Sequence, residues 1–591
     1  MSENQTQTGK FPPLEKEEEG SAVRPYLEDY DRECARFSWD RARKDLTGLP
    51  EGRGLNIAYE AVDRHGEGPL RSRTAFIWVG DEADSVRTVT FGQLRDLTHR
   101  FANLLSALGV KRGEVVCATS KRIPEFYVAA LGTLKFGGVF CPIFSGYGPE
   151  PLFQRLSRSR AAVLLTTARE YREKVAELRH RLPDLKHILL FDGKEWGGGR
   201  SPRGEHSLAA LISDADIDFV IPSTDPEEPA LLHFTSGTTG MPKGALHVHD
   251  AVVVYSVTGK YVLDLHPEDV FWCTADPGWV TGASYGFIAP LVRGVTTLVY
   301  GGEFDPVRWM QILEAHRVTV WYTTPSAIRR LMRLGCDIRN AYDLSRLRHI
   351  LSVGEPLAPD AVRWGKQALG VPVCDTWWQT ETGGIMIANY RAVTLLPGSM
   401  GLPLPGIEAA VAAVSPRGVK RLGPNEPGLL VIRSGWPSMF RGYLNEPARY
   451  RKCFKEGWYI TGDLARQDSE GYFWFLGRND DIIKTAGHMV GPFEVESVLM
   501  GHSSVADAAV VGIPDPVLGE RVKAFIIPVE GLEPDQNLAG QVMAFARRRL
   551  GPAVAPREIE FRRYLPKNRA GKVVRRLLKA EDSEDIGVPP L

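Results

Sequence analysis

Strand and helix signals alternate through most of this chain, and that alternation limits it to a narrow set of architectures. Val115 to Ala118 is a short β-favouring apolar run. Pro124 then opens a helix that runs to Phe136, closed by Gly137 and Gly138 before a second apolar run at Val139 to Phe144. Val318 to Tyr322 is strand-like again, Pro325 opens a helix that Gly335 closes, and Leu347 to Val353 leads directly into Gly-Glu-Pro. Strands separated by helices build parallel βαβ layers of an α/β fold, covered on both faces. Ligands of such sheets sit beyond the carboxyl ends of the strands. The loops at Thr235, Thr323 and Gly354 are therefore where a site is expected.

At 591 residues the chain exceeds what one core supports, so at least two domains are expected. From Leu402 to Phe475 the texture changes to short β-rich runs punctuated by Gly and Pro, which predicts a small barrel-like subdomain over 402–475. After Gly477 come a helix near Pro492 to Met500, strands near Ala508 to Gly512 and Val522 to Val529, and a helix near Leu538 to Leu550. That is enough for a separate α+β domain of roughly a hundred residues. The expected division is a polar tail over 1–20, an N-terminal domain over 21–479, a C-terminal domain over 480–580 with its boundary at Asp480, and an acidic tail over 581–591.

Lys plus Arg and Asp plus Glu both number 72, so the balance argues for neither a nucleic-acid footprint nor an anionic membrane surface. The seven cysteines are scattered without a CxxC spacing, which reads as reduced thiols rather than structural zinc. The polar N-terminus has no apolar leader segment, and no apolar run reaches about 18 residues. A cytoplasmic location is expected.

The stretch Leu231 to Gly244, LLHFTSGTTGMPKG, is the strongest local candidate for chemistry. A short strand leads into hydroxyls and glycines without bulk. Such a loop presents backbone N–H groups and the hydroxyls of Thr235, Ser236, Thr238 and Thr239 to a phosphate, while Gly237 and Gly240 let the backbone curl close and Lys243 adds a cation. It is not a Walker A loop, because Pro242 precedes the lysine and Gly244 follows it, so no helix bearing a metal-binding hydroxyl is expected.

In order along the chain stand TSGTTGMPKG, the Tyr322 to Pro325 turn, VGEP (Val353 to Pro356), DTWWQTETGG (Asp375 to Gly384), YITGDLA (Tyr459 to Ala465), GRNDDIIK (Gly477 to Lys484) and LPKNRAGKVVRR (Leu565 to Arg576). Together they resemble the adenylate-forming superfamily of acyl-CoA synthetases, luciferases and peptide-synthetase adenylation domains. DTWWQTETGG, PGSMGLPLPG and PREIEF look most like the acetyl-CoA synthetases within it. The resemblance implies ATP, Mg²⁺ and CoA as cofactor and cosubstrates. In the reaction that the resemblance implies, a carboxylate would attack the α-phosphate of ATP, and cations would have to neutralise the phosphates and hold the reactants in line. The Thr235 to Lys243 loop would hold the β- and γ-phosphates, Thr380 the α-phosphate, and Glu381 the metal, as one carboxylate beside phosphate oxygens. Gly354, Glu355, Pro356, Asp375 and Thr376 would frame the adenine, and Asp463 with Arg478 would take the ribose.

Lys572 matches the family's catalytic lysine, carried on a flexible Asn568 to Gly571 loop within a basic run that includes Lys567, Arg569, Arg575 and Arg576. The resemblance further implies that the C-terminal domain turns about Asp480 between half-reactions, bringing Gly487 against the pantetheine of CoA. It also implies that an acyltransferase acting on Lys572, opposed by a deacylase, would switch the enzyme off by removing the charge. Ala486 and Met489 depart from the arginine-bearing form common among acetyl-CoA synthetases. Val280, Thr281, Val353 and Trp378 resemble an acetate pocket, in which an indole wall would exclude long acyl chains. Propionate, branched short-chain and medium-chain acids remain open as alternatives, as does a non-catalytic nucleotide sensor.

Overall fold

The computed structural model describes residues 12–15, 23–81, 85–192, 205–235, 242–479, 481, 483–485, 488–515, 518–551, 554–567 and 573–585. Its largest layer is a nine-stranded sheet. Thr74–Val79, Thr296–Tyr300, Val270–Cys273, Val320–Thr323, His349–Ser352 and Val373–Trp377 run parallel in that spatial order. Antiparallel strands finish it at both edges, Val86–Thr90 on one side and Ile387–Ala388 with Leu402–Pro403 on the other. The central strands read as unbroken apolar runs because both faces are covered; His349–Ser352 and Val373–Trp377 are buried at every position.

A second sheet of eight strands repeats the pattern. Pro229–Thr235, Val139–Ile143, Val115–Thr119, Val163–Thr166, His187–Leu190 and Glu205–Ser207 are parallel neighbours. The helix between Val115–Thr119 and Val139–Ile143 spans Pro124–Phe136, starts on a proline and stops at Gly137 with φ 87°, a left-handed position that glycine takes without strain. Every residue from Phe126 to Phe136 is buried, and so is every residue from Ala251 to Gly259 in the helix Ala251–Tyr261. Helices apolar all round are those enclosed by neighbouring layers on all sides.

The β-rich region is an open, antiparallel six-stranded sheet running from Ala409–Ser415 to Phe473–Arg478. In the C-terminal part Gly519–Pro528 pairs with Val505–Asp515, Ile483–Thr485 and Glu558–Phe561, and the helices Pro492–Met500 and Gln536–Leu550 share a core with that sheet. The two parts meet closely at Gly491, where a Cβ would lie 1.9 Å from the carbonyl oxygen of Leu476.

Two stretches expected to be tails carry structure. The helix Arg575–Asp585 continues into the acidic terminus because Leu578, 1% exposed, packs into the cluster of Ala509, Val511 and Phe525, and Glu581 pairs with Arg562 at 2.9 Å. Near the other terminus, Leu14 exchanges both backbone hydrogen bonds with Leu395 at 2.9 Å. Among the described residues no helix is long and apolar enough to cross a membrane, and the seven cysteines are free thiols.

Candidate active site

Beyond the carboxyl ends of the parallel strands lies a cavity of about 1000 Å³. The nine-stranded sheet contributes the loops after Val270–Cys273, Thr296–Tyr300, Val320–Thr323, His349–Ser352 and Val373–Trp377, and the second sheet contributes Phe144. Asp463 and Arg478 enter from the six-stranded sheet, and Asp507, Lys567 and Arg575 from the C-terminal part. Of the residues singled out from sequence, Val280, Thr281, Val353, Gly354, Glu355, Pro356, Asp375, Thr376, Trp378, Thr380, Asp463 and Arg478 all line this one space. Thr235 lies in a smaller cavity of about 160 Å³ that also touches Val280 and Thr380. Ser236, Gly237, Thr238, Thr239, Gly240, Asp480, Gly487 and Lys572 lie outside the described residues.

Thr235 and Lys243 face each other in antiparallel register, so the chain resumes as a strand, Lys243–Val248, after the hydroxyl-rich stretch. A Walker A lysine would open a helix; Lys243 opens a strand. Burial, then the Arg449 charge, lowers the Lys243 pKa below its usual value. Its ammonium lies 5.6 Å from the ring of Tyr443, whose hydroxyl donates to Glu381 Oε1 at 2.6 Å. Lys243, Tyr443 and Glu381 thus form one cluster beside Thr380. Among the described residues no group of three or more His, Cys, Asp or Glu side chains is placed to hold a metal ion. The donor set fits a hard cation held by the single carboxylate of Glu381 together with phosphate oxygens, the usual manner for Mg²⁺.

Asp463 is 4% exposed and held from several directions. Its Oδ2 accepts from Trp377 Nε1 at 3.0 Å and from Gln379 Nε2 at 2.8 Å, while Oδ1 accepts from Arg478 Nη1 at 2.9 Å. Gln379 is itself oriented, taking the Tyr459 hydroxyl on Oε1 at 2.8 Å and donating to the Thr461 carbonyl at 3.0 Å. Gly354 has φ 93° with open space where a Cβ would stand, so the turn requires glycine for its backbone angle rather than for crowding. Next to it the Glu355 carboxylate accepts from Ser326 Oγ and Arg329 Nη2, both at 2.6 Å, which fastens the turn to the helix Pro325–Met332. Asp375 is deeply buried, accepting from Ser352 Oγ at 2.9 Å and Thr376 N at 3.0 Å; burial pushes its pKa up to about 7.

In the acyl region Trp378 presents its indole to the cavity, packed edge-on against Tyr285 with centroids 5.1 Å apart. Of the other tryptophans, Trp272 is 1% exposed and part of the core, and Trp279 stacks on Phe144. Arg169, an exposed helix charge, pairs with Glu173 at 2.8 Å.

Tyr443, Gln379, Trp377 and Arg329 escaped the sequence reading. Trp377 and Gln379 stand inside a motif, but their partner Asp463 is more than eighty residues away, and Tyr443 sits on a two-residue strand with no local signal. Arg575 differs from its expected place in a basic run. It is half-buried at the cavity, with Nη2 against both Glu496 oxygens at 2.6 and 2.8 Å.

Residues 63–444 match the family described as AMP-binding enzyme, and residues 494–572 match the AMP-binding enzyme C-terminal domain. The chain belongs to this family. It is 43% identical over 556 residues to an acetyl-coenzyme A synthetase of Bacillus subtilis (strain 168), covering 94% of this chain and 95% of the relative. To an acetyl-coenzyme A synthetase of Methanothrix thermoacetophila it is 37% identical over 552 residues, covering 90% and 83% respectively. Among solved structures it resembles an acyl-CoA synthetase of Brucella canis, with TM-score 0.72 and 32% identity over 95% of this chain and all of that one. It also resembles ATP-bound MatB from Rhodopseudomonas palustris, with TM-score 0.78 and 25% identity over 90% of this chain and all of that one.

Proposed function

We propose that this chain is an AMP-forming acetate–CoA ligase. It joins acetate to ATP as acetyl-AMP with release of pyrophosphate, then passes the acetyl group to the thiol of CoA. The observation that carries this reading is that one cavity gathers the Gly354 turn, the preset Asp463 carboxylate and the Trp378 wall, in a chain related over nearly its whole length to acetyl-coenzyme A synthetases.

In this reading the turn at Gly354 to Pro356, with Asp375 and Thr376, receives the adenine, and Asp463 and Arg478 fix the ribose. The loop from Thr235 to Gly240, with Lys243, grips the leaving pyrophosphate, and Thr380 orients the α-phosphate. Glu381 would hold Mg²⁺, which when bound supplies charge neutralisation at the phosphates. Val280, Thr281, Val353 and Trp378 enclose the methyl end of acetate, so acetate is used best, propionate next and medium chains poorly. One misfitted methylene is worth only about 1–3 kcal/mol, so the step from acetate to propionate is shallow.

Lys572 completes the adenylation site as a mobile point charge. Rotation of the C-terminal domain about Asp480 withdraws it and brings Gly487 to the pantetheine. The regulatory partners of this scheme are an acyltransferase and a deacylase acting on Lys572. Full adenylation activity in protein acylated there would remove them from the scheme.

The decisive experiment supplies ATP and CoA with each acid from acetate to octanoate and follows pyrophosphate and thioester. Acetate-dependent release of both is expected, and no release with any acid would instead identify a nucleotide sensor. In a Lys572→Ala protein, adenylation collapses while acetyl-AMP plus CoA still yields thioester. Equal loss of both steps would overturn the two-arrangement scheme.

A further inference from the structure

The turn at Tyr322 to Pro325 is one of the sequence motifs, yet nothing in the proposed reaction uses Tyr322. Its side chain is 0% exposed, behind the cavity wall. Trp378 Nε1 lies 3.2 Å from Tyr322 Oη, which is 2.8 Å from Thr376 Oγ1, which in turn is 2.7 Å from the carbonyl oxygen of Ser352. The chemistry of these groups fixes the direction of every bond. An indole N–H only donates, a carbonyl only accepts, and each hydroxyl has a single hydrogen. Thr376 directs its hydrogen to Ser352, so Tyr322 donates to Thr376 and accepts from Trp378. The three bonds run one way, from the indole at the acyl wall to the backbone of the strand His349–Ser352 that leads into the Gly354 turn.

Packing holds the same indole on one side only, where it meets the main hydrophobic core. Tyr285 meets Trp378 and Tyr322 edge-on, with centroids 5.1 and 5.8 Å away. It is itself fixed through its hydroxyl, which accepts from Ile385 N at 2.8 Å and donates to Thr258 Oγ1 at 3.0 Å. The open side of Trp378 faces the cavity. An indole on a cavity wall can tilt outward at the expense of weak contacts. One whose N–H is tied to a buried hydroxyl cannot, because tilting leaves both groups unpaired.

We propose that Tyr322 is a positioning residue that sets the acyl chain-length cut-off, its hydroxyl holding the Trp378 indole upright across the end of the acyl pocket. The proposal rests on the reading of Trp378 as that wall. Because the relay passes through Thr376 to Ser352, the acyl wall and the adenine-side segment belong to one hydrogen-bonded chain, and loosening the first disturbs the second.

Tyr322→Phe keeps the ring and removes the hydroxyl. The ratio of kcat/KM for butyrate to kcat/KM for acetate is expected to rise about three- to tenfold, the span of one net buried hydrogen bond. A purely structural role would lower the activity with all acids by the same factor and leave the ratio unchanged, which would overturn the proposal. In a Trp378→Phe background there is no indole N–H to hold, so adding Tyr322→Phe should change the ratio less than about twofold. A full rise in that background would equally overturn it. Should Tyr322→Phe fail to fold, Thr376→Val removes the acceptor of the Tyr322 hydroxyl from the other side, and the ratio must rise in the same direction; no rise counts against the relay. Trp378→Gly separates the two levels of the argument. If it leaves chain-length selectivity unchanged, the wall assignment falls. If it shifts selectivity while Tyr322→Phe does not, only the role of Tyr322 falls.

Discussion

Asp463 and Glu381 are both carboxylates proposed to meet the nucleotide, and they are built in opposite ways. Asp463 is buried and receives Trp377, Gln379 and Arg478 before any ligand arrives. Glu381 is half-buried, and among the described residues its carboxylate takes one hydrogen bond, from Tyr443. A carboxylate offers about four acceptor positions, so Asp463 keeps about one for a ribose hydroxyl unless Arg478 yields, whereas Glu381 keeps most of its lone pairs. A group that must fix a sugar is preset by its neighbours. A group that takes a cation is left open.

If that contrast is right, removing charge at the open carboxylate should be the most damaging change. Glu381→Gln is expected to lower acetate-dependent pyrophosphate release by about 10²- to 10³-fold at saturating Mg²⁺; a loss under tenfold would break the contrast. Asp463→Asn turns an NH₂ toward at least one of these donors whichever way the amide faces, and the unpaired groups should raise KM for ATP about 10- to 100-fold while kcat falls less. An unchanged KM would show that the preset network does not serve the ribose. Tyr443→Phe strips the one hydrogen bond from Glu381. The Mg²⁺ concentration giving half-maximal rate should then rise about tenfold, and an unaltered Mg²⁺ titration would detach Tyr443 from the metal end.

The smallest effect concerns a third carboxyl, Asp375, which has the burial of Asp463 with no cation beside it among the described residues. Its pKa rises from 3.8 to about 7, mainly through burial. A raised folded-state pKa means the folded protein holds the proton more tightly. The stabilisation is fully present below about pH 3.8 and is lost as pH rises through about 7, a change of at most about 4 kcal/mol. The melting temperature of the wild type minus that of Asp375→Asn should therefore grow by about 3 °C from pH 8 to pH 5. A difference that stays flat over that interval would mean Asp375 is ionised in the folded state.

The helix from Pro124 to Phe136 and the strands around it are legible in the sequence because proline and glycine mark their ends and burial on both faces removes polar residues. The C-terminal helices and strands are legible for the same reason. The cavity membership of Gly354, Asp375, Thr380 and Asp463 follows from where ligands of parallel sheets sit and from the motif order. What sequence hides is pairing at a distance. Nothing near Trp377 announces that its N–H meets Asp463, and nothing in the run Val573 to Arg576 separates the half-buried Arg575, bonded to Glu496, from its exposed neighbour Arg576. The helix at Arg575–Asp585 was obscured by its acidic composition, since one buried leucine and one ion pair anchor a turn that charge alone would leave in water.

Gly491 gives the seam between the two parts of the molecule a particular kind of intolerance. With the Leu476 carbonyl 1.9 Å from where a Cβ would stand, this arrangement admits only one of the twenty amino acids at that position. An arrangement in which Leu476 has moved off would accept alanine or serine freely. The set of residues that survive at position 491 under selection for growth on acetate would therefore report whether the proposed catalytic cycle has to pass through the closed seam.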